Sequence, residues 1–119
     1  MNIEEAIQLK NELDADTTSS FNEKYERERP IQNLTEELFL NACSKLGLIT
    51  RNQIKQFIGS NDCNCSRVDP TISGTIQDDE TYKIVTWIDY DMGATWAKYS
   101  VLHKPTNTRF RNSLGLSIN

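Results

Sequence analysis

The amino-acid sequence predicts an α+β fold, with N-terminal helices packed on a C-terminal antiparallel β-meander of three to four strands. Apolar residues recur at helical spacing up to about residue 60, and from about residue 70 they alternate with polar residues as in strands. The predicted strands are joined by short links, which connect only antiparallel neighbours. At 119 residues the chain has the length of one domain. We therefore expect a single domain over 1–119, mainly helical in 1–60 and antiparallel β in 70–112.

Two helices are predicted before residue 30. Asn2 and Glu5 have the spacing of a capping box, in which each side chain bonds to the other residue's backbone, so a helix is expected over 2–13. A second helix is expected over 20–29. Pro30 should end it, because proline lacks the amide hydrogen that a helix interior needs.

An aromatic pair lies on this second helix. Phe21 and Tyr25 are four residues apart, which places them on one side of the helix. The favoured interpretation is that the pair rests on the core, and the alternative is an exposed recognition helix.

The clearest local pattern is a helix–turn–helix over residues 33–59. Asn33 or Thr35 is expected to cap its first helix, and Gly47 is placed to take the left-handed conformation that follows a helix end. This arrangement occurs both in DNA-binding domains and in ordinary helical corners.

The second helix of this pair begins at another capping box. Thr50 is the predicted N-cap, with Gln53 three residues later as its partner. Gly59 is expected to end the helix.

Four strands are predicted, all rich in β-branched and aromatic residues. They cover residues 71–77, 81–90, 94–103 and 108–111, with turns at 78–80, 91–93 and 104–107. The second strand is partly apolar on both faces. We therefore expect helices to cover one face of the sheet and something else to shield the second.

The net charge of −4 conceals an uneven distribution. Residues 1–40 carry ten acidic and four basic side chains, whereas residues 92–119 carry four basic side chains and no acidic one. A basic C-terminal quarter on an acidic body can meet a phosphate backbone or an acidic protein surface. It can equally be a solvated strand face.

Metal and cofactor chemistry are not expected. Cys43, Cys63 and Cys65 are an odd number of cysteines behind an N-terminus without an export signal, so we expect free thiols and a cytoplasmic location. With His103 they could form a Cys₃His zinc site, but their spacing is not that of zinc knuckles. The favoured interpretation is a buried Cys43 and a loop that holds the other two cysteines.

Enzymatic activity is not expected either. The sequence contains no phosphate-binding glycine loop, no zinc-protease motif and no nucleophile elbow. Asp89 and Asp91 share one face of a predicted strand and could bind a divalent cation, although a solvated strand end is the favoured interpretation. No stretch of the sequence is apolar enough to predict a membrane span.

The preferred functional hypothesis is a non-catalytic domain that binds a protein partner. The strands offer more aromatic surface than one small core hides, and aromatic residues and arginine anchor protein interfaces. The candidate contact residues are Trp96, Lys98, Tyr99, Lys104, Arg109 and Arg111. A small acidic chain of this kind is typical of a regulator or inhibitor that acts on a larger host machine, such as a phage-borne inhibitor.

The alternative hypothesis is a regulator that binds nucleic acid. Residues 34–103, with two helices, the run 47–54 and a hairpin around 91–93, resemble a winged-helix domain. The resemblance implies a recognition helix after Gly59, although Pro70 forbids a simple continuous helix there. The residues that it would place near nucleic acid are Arg51, Lys55, Asn64, Ser66, Arg67 and Lys98.

Overall fold

A computed structural model of the chain describes residues 1–61, 74–91, 94–111 and 115–117. Its elements are α1 (Ile3–Ala15), α2 (Phe21–Lys45), α3 (Arg51–Asn61), β1 (Thr75–Asp78), β2 (Tyr82–Asp91), β3 (Ala94–His103), β4 (Thr108–Arg111) and β5 (Leu116–Ser117). The predicted α+β fold, helices first and antiparallel meander second, is confirmed. Within the described residues, no helix combines the length and apolarity that crossing a bilayer requires.

Helix α1 begins at the predicted capping box. Asn2 Oδ1 accepts from the Glu5 amide at 2.8 Å, and Glu5 Oε1 accepts from the Asn2 amide at 3.3 Å. The helix runs to Ala15, two residues further than predicted.

Asp16 fixes the connection between α1 and α2. Its carboxylate accepts from the amides of Thr18 and Ser19 at 2.9 and 3.1 Å and from the Ser19 hydroxyl at 2.6 Å. It also pairs with Arg27 of α2 at 2.8 Å, while Lys24 donates to the Asp16 carbonyl. The hydrogen bonds from Ser19 and Thr18, the one from the Ser19 hydroxyl first, hold the pKa of the Asp16 carboxyl well below its usual range.

The predicted helix end at Pro30 is wrong, because α2 continues without interruption from Phe21 to Lys45. Pro30 is exposed, so the Glu26 carbonyl that loses its helical hydrogen bond can be solvated. The predicted N-caps at Asn33 and Thr35 therefore lie inside a helix. Thr35 is buried, and its hydroxyl donates to a carbonyl one turn earlier at 2.7 Å.

Burial explains why α2 continues past the proline. Side chains at helical spacing after Pro30 are all at most 4% exposed, and their packing outweighs one missing backbone hydrogen bond. They are Ile31, Thr35, Phe39, Ala42 and Cys43.

Helix α2 ends at Lys45, and Gly47 takes the left-handed conformation predicted after the helix end, with a φ of 78°. The Leu48 amide donates to the Cys43 carbonyl at 2.9 Å and the Gly47 amide donates to the Ser44 carbonyl at 3.0 Å. This pair of bonds is a Schellman motif, which satisfies the last carbonyls of the helix.

The predicted capping box of α3 is also confirmed. Thr50 Oγ1 accepts from the Gln53 amide at 3.2 Å, and Gln53 Oε1 accepts from the amides of Thr50 and Ile49 at 2.9 and 2.8 Å. The helix runs to Asn61, two residues past the predicted end at Gly59.

The sheet has the strand order β1-β2-β3-β4, all antiparallel, and β5 pairs with β3 beyond the end of β4. The predicted strands 94–103 and 108–111 are confirmed, and 81–90 is shifted by one residue. Residues 71–73 of the first predicted strand lie outside the described residues, as do 92–93 of the second turn. The two-residue strand β5 was not predicted.

The predicted turn between β1 and β2 is formed by local hydrogen bonds. Asp79 Oδ1 accepts from the amides of Thr81 and Tyr82 at 2.9 and 2.7 Å, which closes the turn between β1 and β2. These backbone hydrogen bonds, the one from Tyr82 first, lower the pKa of Asp79. The predicted turn at 104–107 is a 3₁₀ turn over Lys104–Thr106.

The helices pack on one face of the sheet, which we call the inner face. Tyr99 of β3 stacks on Phe39 of α2, with ring centroids 4.1 Å apart and an interplanar angle of 6°. Ile54 of α3 joins the same core, which continues along β3 through Ala97 and Val101. This arrangement confirms that helices cover one side of the meander.

Candidate binding surface

The face of the sheet that points away from the helices, the outer face, receives alternate residues of every strand. Ala97 and Tyr99 of β3 point into the core, so their neighbours Trp96 and Lys98 lie on the outer face. Both are half-buried. Two of the predicted contact residues are therefore placed on one side of the sheet.

Strand register brings further residues to the outer face, because residues paired across an antiparallel sheet point to the same side. Trp87 of β2 pairs with Lys98, and Arg111 of β4 pairs with Ser100. Arg109, two residues before Arg111, shares that face. The resulting outer-face cluster consists of Trp87, Trp96, Lys98, Arg109 and Arg111.

The two arginines of this cluster are exposed and carry available charge. Arg109 Nη1 donates to the hydroxyl of buried Ser100 at 3.1 Å, which holds the guanidinium over the sheet. Within the described part of the chain, neither Arg109 nor Arg111 forms a salt bridge with a carboxylate. The cluster thus combines two tryptophans with two arginines whose charge can attract an acidic partner.

Lys104, another predicted contact residue, has a structural partner. Its ammonium pairs with Asp78 at 2.5 Å, and this hydrogen bond lowers the pKa of Asp78. The Lys104 amide donates to the Thr81 carbonyl at 2.9 Å. Lys104 therefore ties the link after β3 to the turn between β1 and β2.

The expectation that Tyr99 contributes to a surface is wrong. Tyr99 is 1% exposed and lies against Phe39 in the core. The reason is the two-residue period of β3: a strand that presents Trp96 and Lys98 to one side must send Tyr99 to the other.

A cleft of about 480 Å³ opens where β4 meets the first two helices. Its walls are Lys10, Leu13 and Asp14 of α1, Lys24, Glu28 and Ile31 of α2, and residues 109–111 of β4. Leu13, Ile31 and Phe110 are buried and give it an apolar floor. The volume lies in the range of ligand-binding pockets.

The interpretation of Phe21 and Tyr25 as a pair resting on the core is wrong. Phe21 is 81% exposed and Tyr25 is 45% exposed, and their rings stack on each other with centroids 6.4 Å apart. Apart from Tyr25, residues 22–30 are charged residues, Asn22 and Pro30, so no second apolar turn anchors the pair. This run of charged residues was the feature of the sequence that could have indicated an exposed pair.

The residues of the nucleic-acid hypothesis do not form one described surface. Arg51 and Lys55 are exposed on α3, which packs on the inner face through Ile54, whereas Lys98 lies on the outer face. The other three candidates lie outside the described residues: Asn64, Ser66 and Arg67.

Cys43 is buried in α2 as expected. It is 1% exposed, and burial raises the pKa of its thiol to about 11, which keeps the thiol protonated and unreactive at neutral pH. Cys63 and Cys65 lie outside the described residues, as do the side chains of Asp89 and Asp91.

His103 has a local hydrogen-bond partner within the link after β3. Its Nδ1 lies 2.8 Å from Thr106 Oγ1, and its ring packs at a tilt on Tyr82 with centroids 5.5 Å apart. Among the residues that the structure describes, no three His, Cys, Asp or Glu side chains come together to hold a metal ion.

Comparison of the chain with protein-family models, with curated proteins and with solved structures finds no match.

Proposed function

We propose that the chain is a non-catalytic domain that binds a protein partner through the outer-face cluster. One observation carries the proposal: strand register gathers Trp87, Trp96, Arg109 and Arg111 on the side of the sheet opposite the packed helices. Tryptophan and arginine are the residue types most enriched at the energetic centre of protein interfaces.

The charge of the surface favours an acidic partner. The outer-face cluster contributes three cations, whereas residues 1–40, which form α1 and most of α2, carry ten acidic side chains. An acidic patch on a partner would be attracted to the outer face and repelled by the helical side, so the charges orient the encounter.

A domain of this size can act by occupying a functional surface of a larger protein assembly. We therefore place the chain among small regulators or inhibitors of a host machine, and a viral origin, as for a phage-borne inhibitor, belongs to the same hypothesis. In this role the partner's activity changes when the outer face binds, and the domain contributes no chemistry of its own.

The test compares capture of proteins from the native host by the tagged full chain and by matched variants. Trp96→Ala and the double variant Arg109→Ala/Arg111→Ala should each lose the captured partner, because they remove an aromatic anchor and the available cations. The control Arg51→Ala/Lys55→Ala removes the same number of positive charges from α3 and should retain it. Equal capture by all variants, with unchanged thermal unfolding, would overturn the proposal.

A nucleic acid is the second candidate, and one observation favours it. Cations beside two tryptophans on an antiparallel sheet are also what proteins use to stack bases and follow a phosphate backbone. Titration of fluorescent single- and double-stranded oligonucleotides against the full chain decides between the candidates. Salt-sensitive micromolar binding that Arg109→Ala/Arg111→Ala abolishes would transfer the outer face to nucleic acid.

A further inference from the structure

We propose that the cleft beside β4 accepts an extended segment of the protein partner, which adds to the sheet as a new edge strand and alternates acidic with apolar residues. This inference rests on the proposed function and specifies the part of the partner that the domain recognises. It follows from the edge of β4, which pairs with no described strand besides β3, from the apolar floor of the cleft and from the two arginines that flank it.

The strand order ends at β4, which pairs with β3 alone among the described residues. Every second residue of such an edge points its amide and carbonyl away from the sheet, where another strand can bond to them. The cleft is lined by residues 109–111 of this edge strand on one side and by residues of α1 and α2 on the other. A groove between an edge strand and a helix is an established geometry for peptide recognition by strand addition.

Strand alternation determines which side chains of an added segment would face the cleft and which would face the arginines. Phe110 points to the inner face and is 3% exposed, whereas Arg109 and Arg111 point to the outer face and are exposed. Side chains of an added strand must alternate in the same way. One set enters the cleft above Phe110, Leu13 and Ile31, and the other set lies beside the arginines. The matching segment therefore carries apolar residues at one set of positions and carboxylates at the other.

The two lysines of the cleft already have partners and are not the main attraction for an acidic segment. Lys10 already pairs with Asp14 at 3.1 Å, and Lys24 donates to the Asp16 carbonyl. Arg109 and Arg111 have no carboxylate partner within the described ranges. Charge complementarity at this edge thus depends on these two residues.

The same arginines argue against a second copy of this chain as the occupant. If two β4 strands paired edge to edge, they would bring Arg109 and Arg111 of one copy beside the same residues of the other, and like charges across a strand pair are destabilising. Charged residues on exposed edges commonly prevent self-association in this way. A segment of opposite charge has no such penalty.

The experiment uses the full chain and a capped peptide of about eight residues that alternates Glu and Val, the length of a typical strand. We expect saturable binding by calorimetry, and slower amide hydrogen exchange within Thr108–Arg111 when the peptide is bound. A control peptide has the same composition with the Glu residues in one block and the Val residues in another. A second control carries N-methyl groups on alternate amides, which removes the hydrogen bonds of an added strand without changing its charge.

Arg109→Ala/Arg111→Ala should weaken binding of the alternating peptide by about fivefold or more, because two ion pairs are lost. Arg51→Ala/Lys55→Ala should leave it unchanged. Equal binding of the block or N-methylated peptide would overturn the inference, and these arms need no protein variant. A concentration-dependent dimer that the peptide dissociates would also overturn it, by assigning the edge to a second copy.

The two proposals fail in different ways. If the alternating peptide does not bind while Trp96→Ala still abolishes partner capture, strand addition is overturned and the proposed function stands. If the peptide protects β4 but partner capture is indifferent to every outer-face variant, the proposed function is overturned and strand addition is supported as a property of this edge.

Discussion

At the scale of single residues, the turn between α2 and α3 depends on two local backbone requirements. Gly47 has a φ of 78°, a conformation that L-residues with a Cβ avoid, and Thr50 supplies an acceptor for an otherwise unpaired helical amide. Thr50→Ala should lower the free energy of unfolding by about 1 kcal/mol. Gly47→Val should cost more, because a β-branched side chain resists positive φ.

Urea denaturation of both variants measures these changes, with Gly47→Asn as the control, since asparagine tolerates the left-handed conformation better than other residues. Unchanged denaturation midpoints for both Thr50→Ala and Gly47→Val would show that the boundary between the helices lies elsewhere.

Asp16 links residue chemistry to pH. Its pKa lies well below its usual range in the folded chain, whereas the unfolded chain takes up that proton near pH 4. The stabilisation is therefore fully present above about pH 5 and is lost as the pH falls below 4 towards the folded pKa. Asp16→Asn should be less stable than wild type at pH 7, and the difference should shrink in acid.

Free energies of unfolding measured between pH 7 and pH 2 check this prediction. Asp14→Asn is the control, because among the described residues Asp14 forms an exposed pair with Lys10 alone, and its loss should change stability little. A difference between wild type and Asp16→Asn that stays constant with pH would contradict the assignment.

At the scale of elements, α2 is the helix in which tertiary packing overrides local sequence. Pro30 costs one backbone hydrogen bond, yet Ile31, Thr35 and Phe39 bury the face that follows it. Pro30→Ala restores the amide hydrogen bond to the Glu26 carbonyl and should stabilise the chain by about 1–3 kcal/mol, less the entropy gained by the unfolded chain. Asn33→Ala, at an exposed site in the same helix, should change stability by only a few tenths of a kcal/mol, about the difference in helix propensity. Loss of stability in Pro30→Ala would mean that the proline fits a local bend.

The same contrast explains what the sequence could and could not predict. Capping boxes at Asn2 and Thr50, the Gly47 helix end and the Asp79 turn were predictable, because each depends on residues within five positions of one another. The continuity of α2 was not, because it depends on contacts with strands that follow more than thirty residues later.

The candidate binding surface was likewise predictable in part. Sequence reasoning selected Trp96, Lys98, Arg109 and Arg111, and strand alternation then places them together. It also selected Tyr99, which is buried. The sequence could not exclude Tyr99, because the side of the sheet that faces the helices is decided by tertiary packing. The cleft beside β4 was not predictable, since helices from the first third of the chain form two of its walls.

At the scale of the whole molecule, the fold places the acidic and the basic segments of the sequence on opposite sides of the sheet. The acidic N-terminal helices occupy one side of the sheet, and the basic residues Lys98, Arg109 and Arg111 occupy the other. The field of such a molecule steers an acidic protein surface towards the outer face and repels a long polyanion from the helical side.

This charge arrangement leads to a prediction about nucleic-acid binding and its dependence on salt. Random-sequence DNA and RNA should show no measurable binding in fluorescence anisotropy at physiological ionic strength, because three outer-face cations are a small footprint beside ten N-terminal carboxylates. If nucleic acid were the ligand, the logarithm of affinity would fall against the logarithm of salt concentration with a slope near −0.9 for each phosphate contact, and each neutralised arginine would reduce that slope.

For a protein partner the kinetics should separate by residue. Raising salt should slow association with wild type, and Arg109→Ala/Arg111→Ala should slow association more than it speeds dissociation, because exposed charges act mainly on the encounter. Trp96→Ala should do the reverse, since an aromatic anchor holds the formed complex. Surface plasmon resonance with the captured partner at low and physiological salt measures both rates. Association that is independent of salt, or a Trp96→Ala variant that dissociates like wild type, would show that the outer face is not where the partner binds.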